Sequence, residues 1–299
     1  MKRICLTIIM VFLTLFLNTY DSFGQISQVK EEWTSLFNGK NLEGWDVKIT
    51  GNDLNVDTEN IFLFEEGILK VYDNKQDNNV KIGHLFYKKP YAYYKLRFEY
   101  RFTGRQFQNP TWETQYGGIE YHAQSLHSMG VKQGYPVCLE FQLLGGLNTG
   151  NRPTGNVCTI GTLVEMEGEI QLDHCIDSKS KTYDGNQWVK AELVVLGDSL
   201  VMHIVNGDTV LQYEKPQIGG GFVNEDFDWA KGQVENFEEW IQKEGMLLNK
   251  GFIGIQAHDP MEFKKVELLN LLGCTNVECK NYKPYHIKKD ECSCLPKSE

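Results

Sequence analysis

Beyond residue 17 the chain has no apolar run long enough to cross a bilayer, no internal repeat and no low-complexity linker. A bundle of membrane helices and a repeat array are therefore excluded. Positive charge is also short: 30 Lys and Arg stand against 40 Asp and Glu, for a formal charge of −10, so the chain has no electrostatic route to nucleic acid. Missing too are the G-x-S-x-G elbow, the H-E-x-x-H helix, a phosphate-binding glycine loop and a G-x-G-x-x-G after a strand. Their absence removes the commonest serine-hydrolase, metalloprotease, nucleotide and dinucleotide chemistries.

At the N-terminus Lys2 and Arg3 precede an apolar run from Ile4 to Leu17, followed by Ser22, Phe23, Gly24 and Gln25. That is the layout of a secretory signal peptide, and the run is shorter than the ~20 residues a membrane span needs. Residues 1–25 are expected to leave on export, with a soluble mature protein in the periplasm or at the cell surface and no membrane span. Loss of Lys2, Arg3 and Asp21 makes the remainder one unit more acidic.

Cys138, Cys158, Cys175, Cys274, Cys279, Cys292 and Cys294 remain. In an exported chain they read as disulfide partners, and the odd count leaves a free thiol or an intermolecular bond. Cys292 and Cys294 form a C-x-C, not a zinc-type C-x-x-C. Of the three pairings open to Cys138, Cys158 and Cys175, Cys158 with Cys175 is preferred. Residues 273–299 carry four cysteines and no strand pattern, and are expected to form a short cysteine-stapled tail.

What the sequence has in abundance is alternation. Tyr94, Leu96, Phe98, Tyr100 and Phe102 alternate with Lys95, Arg97, Glu99 and Arg101, the pattern of a half-buried strand. Similar segments lie at 61–72, 118–123, 137–144, 188–196, 200–205, 209–213, 252–257 and 263–269. Asn206-Gly207 between two of them is a hairpin signal. Many antiparallel strands predict an all-β sandwich or jelly roll, with one helical insertion at 233–243 inside the long connection 219–251.

Three strands place polar, reactive side chains at alternate positions: Glu120 with His122, Glu140 with Gln142, and Gln256 with His258. On a shared face they converge on one pocket; on separate faces they are solvated decoration. Glu140 stands out, because Leu139, Phe141, Leu143 and Leu144 around it predict burial of its carboxyl. Arg152, in the loop 151–156, offers a planar fork of donors for substrate oxygens. His84, His127, His174, His203 and His286 read as satisfied or solvated histidines. Trp112, Tyr116, Tyr121, Tyr135, Phe222 and Trp229 flank the candidate region and suit stacking on sugar rings.

The opening from Trp33 to Trp45, with Gly118-Ile-Glu-Tyr-His122, Leu139-Glu-Phe-Gln-Leu143, Arg152-Pro-Thr-Gly155, His203-Ile-Val-Asn-Gly207 and Gly251-Phe-Ile-Gly-Ile-Gln-Ala-His258, resembles the 3-keto-disaccharide hydrolase family. The resemblance spans residues 26–272 as a domain and implies a concanavalin A-like jelly-roll sandwich. It departs from relatives in having Gly117-Gly118 for Asn-Ser-Gly, and Gln256-Ala-His258-Asp259 for Gln-Asp-His-Gly.

The resemblance further implies cleavage of glycosides or oligosaccharides whose sugar is a ketone at C3. The ketone acidifies the C2 hydrogen, so a base removes it, the glycosidic oxygen leaves by β-elimination, and hydration of the enone completes hydrolysis. This needs a base, an electrophile on the keto oxygen and an acid. The expected catalytic set is Glu140 or His122 as base and His258 as acid, with Glu120, Gln142, Arg152 and Gln256 binding substrate. No cofactor is assigned, and a divalent metal held by His122, Glu140 and His258 is an alternative electrophile. The rival readings are a non-catalytic carbohydrate-binding sandwich and a conventional two-carboxylate glycosidase.

Overall fold

The computed structural model describes residues 30–73, 81–103, 114–220, 229–230, 232–290 and 295. The expected leader lies outside them, as do Trp112, Phe222, Cys292 and Cys294. In chain order the strands are β1 Thr34–Ser35, β2 Trp45–Ile49, β3 Phe62–Glu65, β4 Ile68–Val71, β5 Gly83–Tyr87, β6 Tyr93–Phe102, β7 Tyr116–Ala123, β8 Cys138–Leu144, β9 Asn156–Ile160 and β10 Thr162–Met166. They continue as β11 Glu169–Gln171, β12 Cys175–Ile176, β13 Val189–Leu196, β14 Val201–Val205, β15 Asp208–Ile218, β16 Phe252–Ala257, β17 Met261–Asn270, β18 Leu272–Gly273 and β19 Lys288–Lys289.

A ten-stranded sheet runs β11-β10-β15-β14-β13-β6-β17-β4-β3, with β1 added on β17, and a seven-stranded sheet runs β12-β9-β8-β7-β16-β5-β2. Apart from the small parallel pair β18–β19, the strands pair antiparallel. This is the jelly-roll sandwich that the alternation predicts. The apolar set of β6 faces inward, with Tyr94, Leu96, Phe98, Tyr100 and Phe102 all at most 3% exposed. Against it pack Leu85, Ile119, Tyr121, Leu139, Phe141, Leu143, Val157 and Ile255 from the smaller sheet. Each such side chain contributes about 1.5–3 kcal/mol by leaving water, so register is strongly specified: a one-residue slip would turn the whole set outward.

Val205 pairs with Asp208, so Asn206 and Gly207, at φ 50° and 94°, form the two-residue hairpin that the sequence signals. Within the sandwich the Tyr121 hydroxyl donates to Nε2 of His203 at 2.8 Å, and His203 Nδ1 donates to the Gly155 carbonyl at 2.9 Å. That pairing satisfies both ring nitrogens while burial pushes the imidazole down to about 4, so His203 is a neutral core residue, as expected.

Two local readings need correction. Residues 61–72 do not form one strand but fold back at Glu66-Gly67, where φ is 51° and 79°, to give β3 and β4. The helical insertion is shorter than predicted: α1 spans Phe237–Ile241 only, behind a left-handed Asn236. Val234 packs with Val137, Ile218 and Trp229, whereas Ile241 is 48% exposed and off the buried stripe. In the tail, Cys279 is disulfide-bonded, but Cys274 is a buried free thiol outside the expected staple.

Candidate active site

The smaller sheet has two unlike faces because its strands alternate in register. Ile119, Phe141, Val157, Ile255 and Leu85 enter the core. Their neighbours point to the other face and align in two rows, since residues directly opposite in an antiparallel pair share a side. One row is Lys48, His84, Gln256, Gly118, Gln142 and Asn156. The next is Asp46, Phe86, Gly254, Glu120, Glu140, Cys158 and Cys175. The expected convergence of Glu120, Glu140, Gln142 and Gln256 is thus present. Cys158 and Cys175 are joined in the preferred disulfide, which ties β12 to β9 beside Glu140.

Glu120 and Glu140 are opposite neighbours on β7 and β8, each 0% exposed; such positions bring Cβ atoms to about 4.5–5.5 Å. Each carboxyl is held from behind by one oxygen. Tyr116 donates its hydroxyl to Glu140 Oε2 at 2.9 Å, and His84 Nδ1 lies 2.9 Å from Glu120 Oε2. The other oxygen of each, Oε1, is buried with no protein partner, as are both amide atoms of Gln256 and Nδ1 of His258. A lone buried polar atom without a partner costs about 1–3 kcal/mol. Several lie together on one face among the described residues, polar atoms for which the protein itself supplies no partner.

The two carboxyls differ in their surroundings, His84 standing beside Glu120 and Tyr116 beside Glu140. Burial, then the charge of Glu120, pushes the Glu140 carboxyl well above the usual range, and the Tyr116 hydrogen bond only partly opposes this. Burial thus favours the protonated form of Glu140. Burial also holds the His258 imidazole down at about 4, and its ring stands edge-on to Tyr116 at 4.5 Å between centroids. Beneath Glu140 lies Gly118: a methyl group there would overlap Oε1 and sit 2.5 Å from Cγ. The missing side chain is what leaves room for the Glu140 carboxyl over Gly118, the residue that stands between Gln142 and Gln256 in the row.

Other residues fall elsewhere than the sequence suggests. His122 does not share the Glu120 face. Ala123 pairs with Phe252 and Glu120 with Gly254, so Tyr121 and His122 together oppose the single Ile253, a β-bulge that breaks the alternation. His122 takes φ 49° and donates Nε2–H to the Gly197 carbonyl, 3.1 Å away in the turn after β13. Arg152 braces the chain, donating to the carbonyls of Gly145 at 2.5 Å and Gln115 at 3.4 Å. Gln142 accepts from Asn156 Nδ2 at 2.8 Å, so its oxygen is engaged within the sheet.

His84, read from sequence as a satisfied histidine, is part of the site. The missed signal is the alternation of His84 and Phe86 in a strand whose Gly83 start disguises it. Among the described residues, the one group of three ligand atoms close enough to share a metal is Cys158, His174 and Cys175, where two sulfurs are spent in the disulfide. Among the described residues His122, Glu140 and His258, the ligand set raised for a metal, do not converge, because the bulge turns His122 away from Glu140 toward Gly197.

Residues 32–269 match the family model of the 3-keto-α-glucoside-1,2-lyase-like domain. No curated protein matches the chain. Among solved structures, a candidate glycosyl hydrolase from Parabacteroides distasonis is similar at 15% identity and TM-score 0.46, covering 80% of this chain and 99% of its own. A protein with a galectin-like fold from Bacillus subtilis is similar at 11% identity and TM-score 0.46, with coverages of 81% and 97%. The carbohydrate-binding module CBM66 from Bacillus subtilis is similar at 9% identity and TM-score 0.37, with coverages of 80% and 95%.

Proposed function

Since the chain belongs to the 3-keto-α-glucoside-1,2-lyase-like family, a glycosidase- or lyase-like carbohydrate-active group, we propose that it cleaves 3-keto-glycosides by elimination and hydration. The observation that carries this reading is the unlike pair of buried carboxyls, each with one unpartnered oxygen on the same face. Glu120 takes the C2 proton, the C2–H electrons form the C1=C2 bond, the C1–O bond breaks, and Glu140 gives its proton to the departing oxygen. The two residues have then exchanged roles. Glu140 draws a proton from water as its hydroxyl adds to C1, and Glu120 returns its proton to C2. The Gln256 amide and the His258 imidazole, both with unpartnered polar atoms, supply hydrogen bonds to the keto and hydroxyl oxygens.

This reassigns two duties. His122 is replaced as base by Glu120, and Glu140 acts as acid because its proton is already in place. Glu120, Glu140 and Gln256 are 0% exposed, so the reaction requires these side chains to become accessible to substrate. Export to the periplasm or cell surface completes the reading, supported by the leader-like N-terminus and by the Cys158–Cys175 disulfide.

The test is product release from matched 3-keto and unoxidised glucosides, each with and without a chelator. Release from the 3-keto compound alone is expected. Equal release from both would instead favour a conventional two-carboxylate glycosidase, and binding without release from either would favour a carbohydrate-binding module.

A further inference from the structure

The hydrogen bonds of His84 decide where a proton sits. Its Nε2 lies 2.8 Å from the Gly134 carbonyl, and a carbonyl only accepts, so Nε2 carries a hydrogen. Its Nδ1 lies 2.9 Å from Glu120 Oε2, and one proton must lie on that line, since two lone pairs cannot face each other at that distance. The ring is clamped at both ends and is 0% exposed, with no freedom to release Glu120 by rotation. We infer that His84 is a positioning residue which, as a buried imidazolium bonded to Glu120, makes Glu120 the charged partner and Glu140 the protonated one. This rests on the elimination reading above, whose acid and base it assigns.

The surroundings agree. Facing His84 from the neighbouring elements are Glu120 on β7, the amide of Gln256 on β16, Lys48 on β2, Phe86 on its own strand, and Tyr135, whose ring centroid is 6.1 Å away. Among these, Lys48 is the one other cation and is turned to the Asn52 carbonyl at 2.7 Å. Burial, and to a smaller extent the charge of Lys48, drives the His84 imidazole down, but the charge and hydrogen bond of Glu120 and the Gly134 carbonyl outweigh them, and the net direction is upward. The charge of Glu120 in turn raises Glu140. One imidazolium thereby sets an order of proton release across two carboxyls that sequence alone makes equivalent.

Two measurements test this. In the intact wild-type protein at about pH 7.5, a nitrogen–proton spectrum of the histidine rings should show both ring nitrogens of His84 protonated, above the ordinary value of about 6.5. A neutral ring with hydrogen on Nε2 alone would overturn the inference. In His84→Gln, which donates to Glu120 without a charge, the acid limb of the kcat profile should move to higher pH by roughly one to three units. A uniform fall in kcat with the limb unmoved would mark a merely structural role and also overturn it. Absence of turnover in the wild type would refute the elimination reading instead, and the ring spectrum would then decide the charge assignment by itself.

Discussion

Replacing Glu140 with glutamine is expected to lower kcat on a 3-keto-glycoside by a factor of about 10² to 10⁴, the usual worth of a general acid or base. Glutamine keeps the shape of the side chain, so it can still lie over Gly118 and accept the Tyr116 hydroxyl through its oxygen. What it lacks is the transferable proton. Because Glu140 is already neutral, with its acidity suppressed by burial and by Glu120, the substitution removes no charge from the site. Fold and sugar affinity should therefore survive. Steady-state kinetics alongside calorimetric binding of an unreactive glycoside separates the cases: intact binding with lost turnover supports catalysis by Glu140. Undiminished turnover would remove Glu140 from the mechanism, and a binding module would have no turnover to lose.

Gly118→Ala should be as damaging, for a steric reason. Gly118 does not occupy the left-handed region, so alanine meets no backbone penalty there. The new methyl would instead overlap Glu140 Oε1 and fall 2.7 Å from Cδ, and the carboxyl must move. A displacement of about 1 Å at a reacting group can cost on the order of 10²-fold in rate, and overpacking a filled site costs about 1–3 kcal/mol of stability. A thermal-unfolding cycle with Glu140→Ala isolates the cause. If the clash is with Glu140, the stability lost in Gly118→Ala returns when the Glu140 side chain is also removed. If the loss persists in the double variant, the methyl is colliding with something else.

The sandwich was legible because burial of one sheet face imposes a period of two, and strands such as Tyr93–Phe102 keep it without interruption. The same rule found Glu120, Glu140, Gln142 and Gln256, which occupy unbroken stretches of β7, β8 and β16. It failed at His122, because a bulge inserts one residue into β7 and reverses the side from that point; nothing in Gly118-Ile-Glu-Tyr-His122 announces the extra residue, whose counterpart is the close approach of Gly251. It also failed at His84, where the partner is two strands away and 36 residues along the chain. Charge state was out of reach for a related reason: Glu120 and Glu140 have the same chemistry in sequence, and only their different partners, His84 and Tyr116, make them unlike. Arg152 takes a structural part that the sequence did not announce, because an arginine fork suits backbone carbonyls as well as substrate oxygens, and here it donates to the carbonyls of Gln115 and Gly145.

The most direct test of elimination is to let a 3-keto-glycoside with hydrogen at C2 compete for the enzyme with the same compound carrying deuterium at C2. Transfer of the C2 hydrogen to Glu120 in the bond-breaking step predicts a lower kcat/KM for the deuterated compound. Equal kcat/KM for the two would mean direct displacement at C1 without cleavage of the C2–H bond and would contradict the roles given to Glu120 and Glu140.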